Sequence, residues 1–235
     1  MSESSESRLS EAAASPLLVS LFADGAVAAE LRGAGIAEGL YPEELEELGG
    51  AIARRAGEYA AGRLSARLAL AQLGIREFPL RRGEDRRPLW PQGVVGSITH
   101  TRGFGGAVAA RRERYRSIGV DAERIGRVGR HLWPKICTGA ECAWLDLLPP
   151  DRQDQAGAVI FSAKEAFYKC QYGVTESWVG FHDVELDPLD WGQPPGSFSV
   201  RPTVALRLAQ ELAPPWIGHY AVEADLVVSG MAFAA

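Results

Sequence analysis

Ser117-Ile118-Gly119-Val120-Asp121-Ala122-Glu123 is an apolar, β-prone run that ends in two acids spaced two apart. Side chains along a strand alternate between faces, so Asp121 and Glu123 point the same way. Two carboxylates on one side of a strand end must repel or share a cation. Further on, Phe161-Ser162-Ala163-Lys164-Glu165-Ala166-Phe167-Tyr168-Lys169 reads as helix. Glu165 and Lys169 stand one turn apart in the favourable acid-first order, and Lys164 and Tyr168 make a second such pair. If this helix crosses the strand end, three carboxylates meet with two ammonium groups beside them. Hard oxygen ligands with cations nearby suit Mg²⁺ holding a phosphate or pyrophosphate.

Either motif alone is weak. An acid-x-acid pair is usually a solvated strand end, and a lone Glu/Lys helix pair is worth a few tenths of a kcal/mol at most. Lysine usage shifts the balance. Of the 25 basic side chains three are lysines, and two of these, Lys164 and Lys169, stand in this one helix. Where arginine serves almost everywhere else, a retained lysine points to a need for a compact charge.

The chain is 235 residues long and 46% hydrophobic, enough for one large domain or two closely joined halves. Its net charge of −5 excludes a nucleic-acid-binding composition. The acidic excess lies mainly in the first fifty residues, and arginines cluster around Arg54 to Arg87 and Arg111 to Arg116. Positive patches in an acidic chain fit a small polyanion better than a duplex. Cys137, Cys142 and Cys170 have no zinc-type spacing, so a reduced, cytoplasmic protein is expected. The apolar run Leu17 to Phe22 is too short for a membrane span and lacks a basic leader.

In chain order, residues 1–15 are expected to fray, Leu17 to Ala23 to form a strand, and Asp24 to Gly39 a Gly-rich turn region. After a short acidic helical piece from Pro42, a helix is predicted from Ala51 to Leu73. Its apolar positions are Ile52, Ala56, Tyr59, Ala60, Leu64, Leu68 and Ala71, and Gly74 stops it. Arg55 and Arg63, eight apart, lie within about 80° of each other on that helix. A solvated arginine face explains them as well as a ligand does. Val94 to Ile98 reads as a strand running into Thr99 and His100, and Gly106 to Ala110 as another. Arg111 to Arg116 is then the turn of a hairpin that brings His100 near Asp121. Thr138 is the expected N-cap of a helix through Leu148, Pro149-Pro150 breaks it, and Asp151 to Tyr172 forms a long helix. Four β-like runs follow: His182 to Leu186, Ser197 to Val200, Trp216 to Ala221 and Leu226 to Ala232. Helices interleaved with mostly antiparallel strands make an α+β fold.

Three motifs now stand in order: Val95-Gly-Ser-Ile-Thr-His100, Ile118-Gly-Val-Asp121-Ala-Glu123, and Phe161-Ser-Ala-Lys164-Glu165-Ala-Phe-Tyr168-Lys169. Together they resemble the 4′-phosphopantetheinyl transferases of the Sfp/EntD type. The Arg55 to Arg67 helix and Trp90-Pro91 look most like the actinobacterial branch. The resemblance implies two similar halves related by a pseudo-twofold, residues 16–120 and 121–235, each a small sheet packed with helices, with the active site in the cleft between them. It implies Mg²⁺-dependent transfer of the phosphopantetheine arm of coenzyme A to a carrier-protein serine, releasing adenosine 3′,5′-bisphosphate, with Mn²⁺ as an alternative metal.

Carried over, Asp121, Glu123 and Glu165 would hold the metal. Arg55, Arg63 and the loop Arg82, Gly83, Glu84, Asp85 would hold the adenosine and its 3′-phosphate, while Thr99, His100 and Lys164 would contact phosphate oxygens. Tyr168 and Trp178 would line the cleft. Glu165 or a metal-bound water is placed to act as base, and Lys169 to compensate the leaving group. The loop cation is Arg82 where lysine is common, and Arg86 and Arg87 beside it compete for the same role. Expected partners are acyl carrier proteins and carrier domains of polyketide, nonribosomal peptide or fatty acid synthases, met by a monomer that binds neither nucleic acid nor membrane. The Arg111 to Arg116 turn would steer them, or is a plain solvated tip. A Mg²⁺-dependent phosphodiester hydrolase would use the same acids, but its broad basic groove is missing. A non-catalytic coenzyme A or carrier-binding module would not need the Glu165/Lys169 pair.

Overall fold

A computed structural model describes residues 12–49, 53–188, 190–192 and 194–235. In chain order its elements are β1 (Ala13–Ala14), α1 (Pro16–Val19), β2 (Ala26–Arg32), α2 (Pro42–Glu46), α3 (Ala53–Gln72), β3 (Val94–Thr101), β4 (Phe104–Arg111) and β5 (Tyr115–Arg124). Then come α4 (Trp133–Ile136), α5 (Gly139–Leu147), α6 (Pro150–Thr175), β6 (Val184–Pro188), β7 (Gly196–Pro202), α7 (Leu208–Glu211), β8 (Trp216–Glu223) and β9 (Leu226–Ala234). The strands form two antiparallel sheets, ordered β1-β2-β4-β3 and β5-β9-β8-β7-β6. The α+β class is as expected. Helix α3 packs on the first sheet and α6 on the second.

Several local expectations are corrected. The run at Leu17 is a short helix, because Ser15 caps it by accepting the Leu18 N–H at 3.1 Å and Pro16 starts it. Within the expected fraying segment, residues 1–11 lie outside the described residues, while Ala13 and Ala14 pair with β2. The expected turn region contains β2, an alanine-rich strand paired along its length with β4. Of the stripe expected on helix α3, Ala60 is buried, while Tyr59, Leu64 and Leu68 are half-buried and Ala61, Ala66, Ala69 and Leu70 complete the buried face. Small residues let it lie close to the sheet; a Cβ at Gly105 would sit 2.6 Å from the Ala61 Cβ. Ile52 lies outside the described residues. Gly74 ends the helix at φ +78, and Thr138 caps α5, both as read from the sequence.

The main topological correction concerns the expected hairpin of β4 and β5. These strands belong to different sheets, and sheet membership changes at the exposed turn 112–114. The division expected between 120 and 121 would cut β5 in two. β5 instead runs beside β3, the last strand of the first sheet, with no backbone ladder between them. Serine and threonine side chains join the two edges. Ser97 Oγ accepts the Val120 N–H at 3.1 Å, Thr99 Oγ1 donates to Asp121 Oδ1 at 3.3 Å, and Thr101 Oγ1 donates to Glu123 Oε1 at 3.0 Å. Below this seam one core is shared by both sheets: Leu18, Val95 and Phe104 pack with Ile118, Val120, Ala122 and Val228.

Candidate functional site

Alternation along β3 and β5 sends Thr99 and Thr101 towards Asp121 and Glu123, so the two acids face one way, as their spacing requires. Helix α6 presses hard on β5 from the second half. A Cβ at Gly119 would lie 2.1 Å from the Ala166 carbonyl oxygen, a distance only glycine permits. This closeness sets Lys169 over the strand end, where its Nζ donates to Asp121 Oδ1 at 2.7 Å and to the Val120 carbonyl at 3.0 Å. Glu165, one turn earlier, is half-buried. Burial raises its pKa and the Asp121 charge pushes the same way, against the pull of Lys169. His100 is exposed at the end of the motif. Partial loss of hydration and the cations Lys169 and Arg55 lower its pKa, opposed by Glu58 and Asp121, so its imidazole stays neutral at neutral pH.

Two parts of the expected arrangement differ. Glu123 turns to Thr101 and accepts the Arg124 N–H at 2.7 Å, so two carboxylates, Asp121 and Glu165, share the Lys169 charge. Among the described residues no three His, Cys, Asp or Glu side chains converge as a ready metal-ligand set. Lys164 points away altogether. It is 2% exposed, and its Nζ donates to Glu141 Oε2 at 2.7 Å and to the carbonyls of Phe181, Ile136 and Val184 at 2.7, 3.0 and 3.1 Å. With every proton engaged inside the second half, it has none for a phosphate, and it does not pair with Tyr168. Glu141 also accepts the Leu186 N–H at 2.7 Å and closes the capping box of α5 through the Thr138 N–H. Lys164 thus ties α5, α6 and β6 together.

On the first-half side, Arg55 is exposed and Arg63 is buried at 5%. Arg63 and Arg82 both lie against the Tyr59 ring, their guanidinium carbons 4.5 and 4.6 Å from its centroid. Glu47, which nothing in the sequence marks, gathers this group. Its Oε2 accepts the Tyr59 hydroxyl at 2.8 Å, its Oε1 accepts the Arg82 N–H at 2.7 Å, and both arginines form longer ion pairs with it, at 3.9 and 3.6 Å. Burial raises the Tyr59 pKa while Arg63 opposes it.

The loop Arg82, Gly83, Glu84, Asp85 is a tight turn in which the Gly83 N–H donates to the Arg87 carbonyl at 2.8 Å. Glu84, Asp85 and Arg86 are exposed. The backbone N–H of Arg87 lowers the Asp85 pKa, and the Arg87 guanidinium adds to that. Arg87 itself reaches across to the second half. Its Nη2 donates to Glu176 Oε1 at 2.9 Å and its guanidinium lies 5.0 Å from the Tyr172 ring centroid. Of the three competing arginines, Arg82 faces the Tyr59 group and Arg87 the aromatic side. Tyr168 stacks edge-on with Trp178 at 5.3 Å and packs on Tyr172 at 5.6 Å, leaving Trp178 78% exposed as a ledge. Burial raises the Tyr168 pKa, and Tyr172, Glu165 and Asp85 add to it, so the loop and the helix face each other.

At the β3/β5 seam two carboxylates, Asp121 and Glu165, therefore stand with Lys169 bonded to one of them. Residues 43–110 match the family model described as the 4′-phosphopantetheinyl transferase N-terminal domain, and residues 117–222 match that of the 4′-phosphopantetheinyl transferase superfamily. The interval between the matches holds the turn at which sheet membership changes. Curated relatives include the 4′-phosphopantetheinyl transferase Svp of Streptomyces mobaraensis, 36% identical over 204 residues, 83% of this chain and 79% of that protein. The 4′-phosphopantetheinyl transferase PptT of Mycobacterium tuberculosis is 37% identical over 159 residues, 64% of this chain and 67% of that protein. Enterobactin synthase component D of Escherichia coli K12 is 33% identical over 149 residues, 60% and 64% of the two chains.

Proposed function

The chain belongs to the 4′-phosphopantetheinyl transferase superfamily, and on that premise we propose how its residues move the phosphopantetheine arm of coenzyme A onto a carrier-protein serine. The observation that carries the reading is the meeting of Asp121, Glu165, Lys169 and His100 at the β3/β5 seam. In this reading the two sheets with their helices are similar halves related by a pseudo-twofold, dividing at the 112–114 turn, and the active site is the cleft between them.

The donor set fits Mg²⁺ in kind. Asp121 and Glu165 are crowded carboxylates whose mutual repulsion a divalent cation would relieve, and Glu123 would be the third oxygen donor were it to turn from Thr101. Bound there with the pyrophosphate, the ion supplies Lewis-acid stabilisation of charge on the non-bridging oxygens. Arg55, Arg63, Arg82 and the Gly83 to Asp85 turn hold the adenosine and 3′-phosphate end, with Thr99 and His100 nearer the pyrophosphate. Tyr168 and Trp178 flank the pantetheine arm. Glu165, or a water held beside it, would accept the serine proton. The serine oxygen bonds to the phosphorus carrying the pantetheine arm. The bond from that phosphorus to adenosine 3′,5′-bisphosphate breaks, and Lys169 stands by the departing charge.

Its partners are carrier proteins of biosynthetic synthases, of the fatty acid, polyketide or nonribosomal peptide kinds. The free cysteines fit a protein of the cytoplasm and the acidic net charge fits a protein rather than a nucleic-acid partner; we take the working form to be a monomer. No helix of the described residues is long and apolar enough to cross a membrane. The test is mass spectrometry of apo carrier proteins incubated with the protein, coenzyme A and Mg²⁺. Phosphopantetheine addition is expected with the wild type and is lost in Asp121→Ala and Glu165→Ala and on chelation. Modification by both variants at the wild-type rate overturns the site.

A further inference from the structure

Glu47 sits beneath two arginines assigned above to the donor, yet it lies on neither the strand nor the helix that bears the chemistry. Its position is built. One oxygen is fixed by the Tyr59 hydroxyl at 2.8 Å and the other by the Arg82 N–H at 2.7 Å, so the carboxylate has no freedom to swing closer to either guanidinium. The ion pairs it makes are correspondingly long, 3.9 Å to Arg63 Nη2 and 3.6 Å to Arg82 Nε. Arg63 is buried at 5% and its Nε lacks a hydrogen-bond partner among the described residues. A buried guanidinium with an unused donor and a counter-charge held at a distance is incompletely satisfied.

We propose that Glu47 is a positioning residue that tempers the preference for the 3′-phosphorylated donor: a fixed internal counter-ion that holds Arg63 and Arg82 against Tyr59, and against whose charge the 3′-phosphate of the donor must compete. This rests on the reading above, in which Arg63 and Arg82 meet the adenosine 3′-phosphate. A fixed carboxylate beside the guanidiniums lowers the positive potential felt by any arriving anion. The 3′-phosphate is therefore held more weakly than bare guanidiniums would hold it, while a donor without that phosphate is unaffected.

Glu47→Gln separates charge from shape. The amide oxygen still accepts the Arg82 N–H and the amide nitrogen donates to the Tyr59 oxygen, so the packing stays while the charge goes. The measurement is calorimetric binding of coenzyme A and of 3′-dephospho-coenzyme A, each in Mg²⁺, to wild type, Glu47→Gln and Arg63→Ala. Expected is an about three- to tenfold gain in the preference for the 3′-phosphorylated donor in Glu47→Gln, carried by coenzyme A alone. Glu47→Asp, which withdraws the carboxylate by one methylene, should move the preference the same way by less, and it serves if the neutral variant does not fold. A purely structural role weakens both donors alike and leaves the preference unchanged; that result overturns the proposal. If instead Arg63→Ala leaves the preference as in wild type, it is the assignment of the 3′-phosphate to this arginine that fails.

Discussion

Lys164 and Lys169, five positions apart on one helix, do different work, and only their surroundings separate them. Lys169 lies at the seam, half-buried against Asp121, where an incoming ligand can recruit it. Lys164 is locked on Glu141 with both side chains fully buried. A buried charge stripped of its partner is costly, so Lys164→Met is expected to lower stability by about 3–5 kcal/mol by stranding Glu141. Urea denaturation checks it. A variant as stable as wild type but unable to bind coenzyme A would return Lys164 to the phosphate. The motif made Asp121, Glu165 and Lys169 legible, because strand and helix periodicities fix their directions. The acceptors of Lys164 are residues 136, 141, 181 and 184, scattered over loops and elements whose convergence no local period encodes. Glu47 escaped for the same reason: its partners are residues 59, 63 and 82.

At the scale of elements, the site depends on how closely α6 lies on β5. Gly119 is the contact point, and its absent side chain is what lets Glu165 and Lys169 reach the strand end. Gly119→Ala must push the helix from the strand. Overpacking of this kind typically costs about 1–3 kcal/mol, and transfer should fall further than stability alone explains, because Asp121 parts from Lys169. Thermal denaturation read beside initial rates at a temperature where the variant is folded tests this; unchanged rates would show that the spacing is immaterial. Long, patterned elements were readable: α3, α6 and the C-terminal strands fall where spacing puts them. Helix α1 was hidden because its four residues carry no period, and β2 because alternation is invisible in a run dominated by alanine.

On the whole molecule, two antiparallel sheets meet edge to edge. The sequence showed the class but not this meeting, since adjacent strands joined by a charged turn normally pair, and β4 and β5 do not. The turn 112–114 is exposed, so breaking the chain there should be tolerated. The two pieces, produced together, are expected to reassemble into an active transferase; inactive mixtures of folded pieces would refute this. The seam also bears on solubility. β3 and β5 each close one sheet, and side chains rather than a backbone ladder join them: the Ser97 hydroxyl takes the Val120 N–H, and Thr99 and Thr101 hold the Asp121 and Glu123 carboxylates. Strand edges of this kind recruit other chains and seed aggregates when bare. Each sheet is therefore the other's guard against self-association: a piece made alone would carry an uncovered edge, and the same meeting of strands that sets Thr99 against Asp121 keeps the protein from polymerising through it.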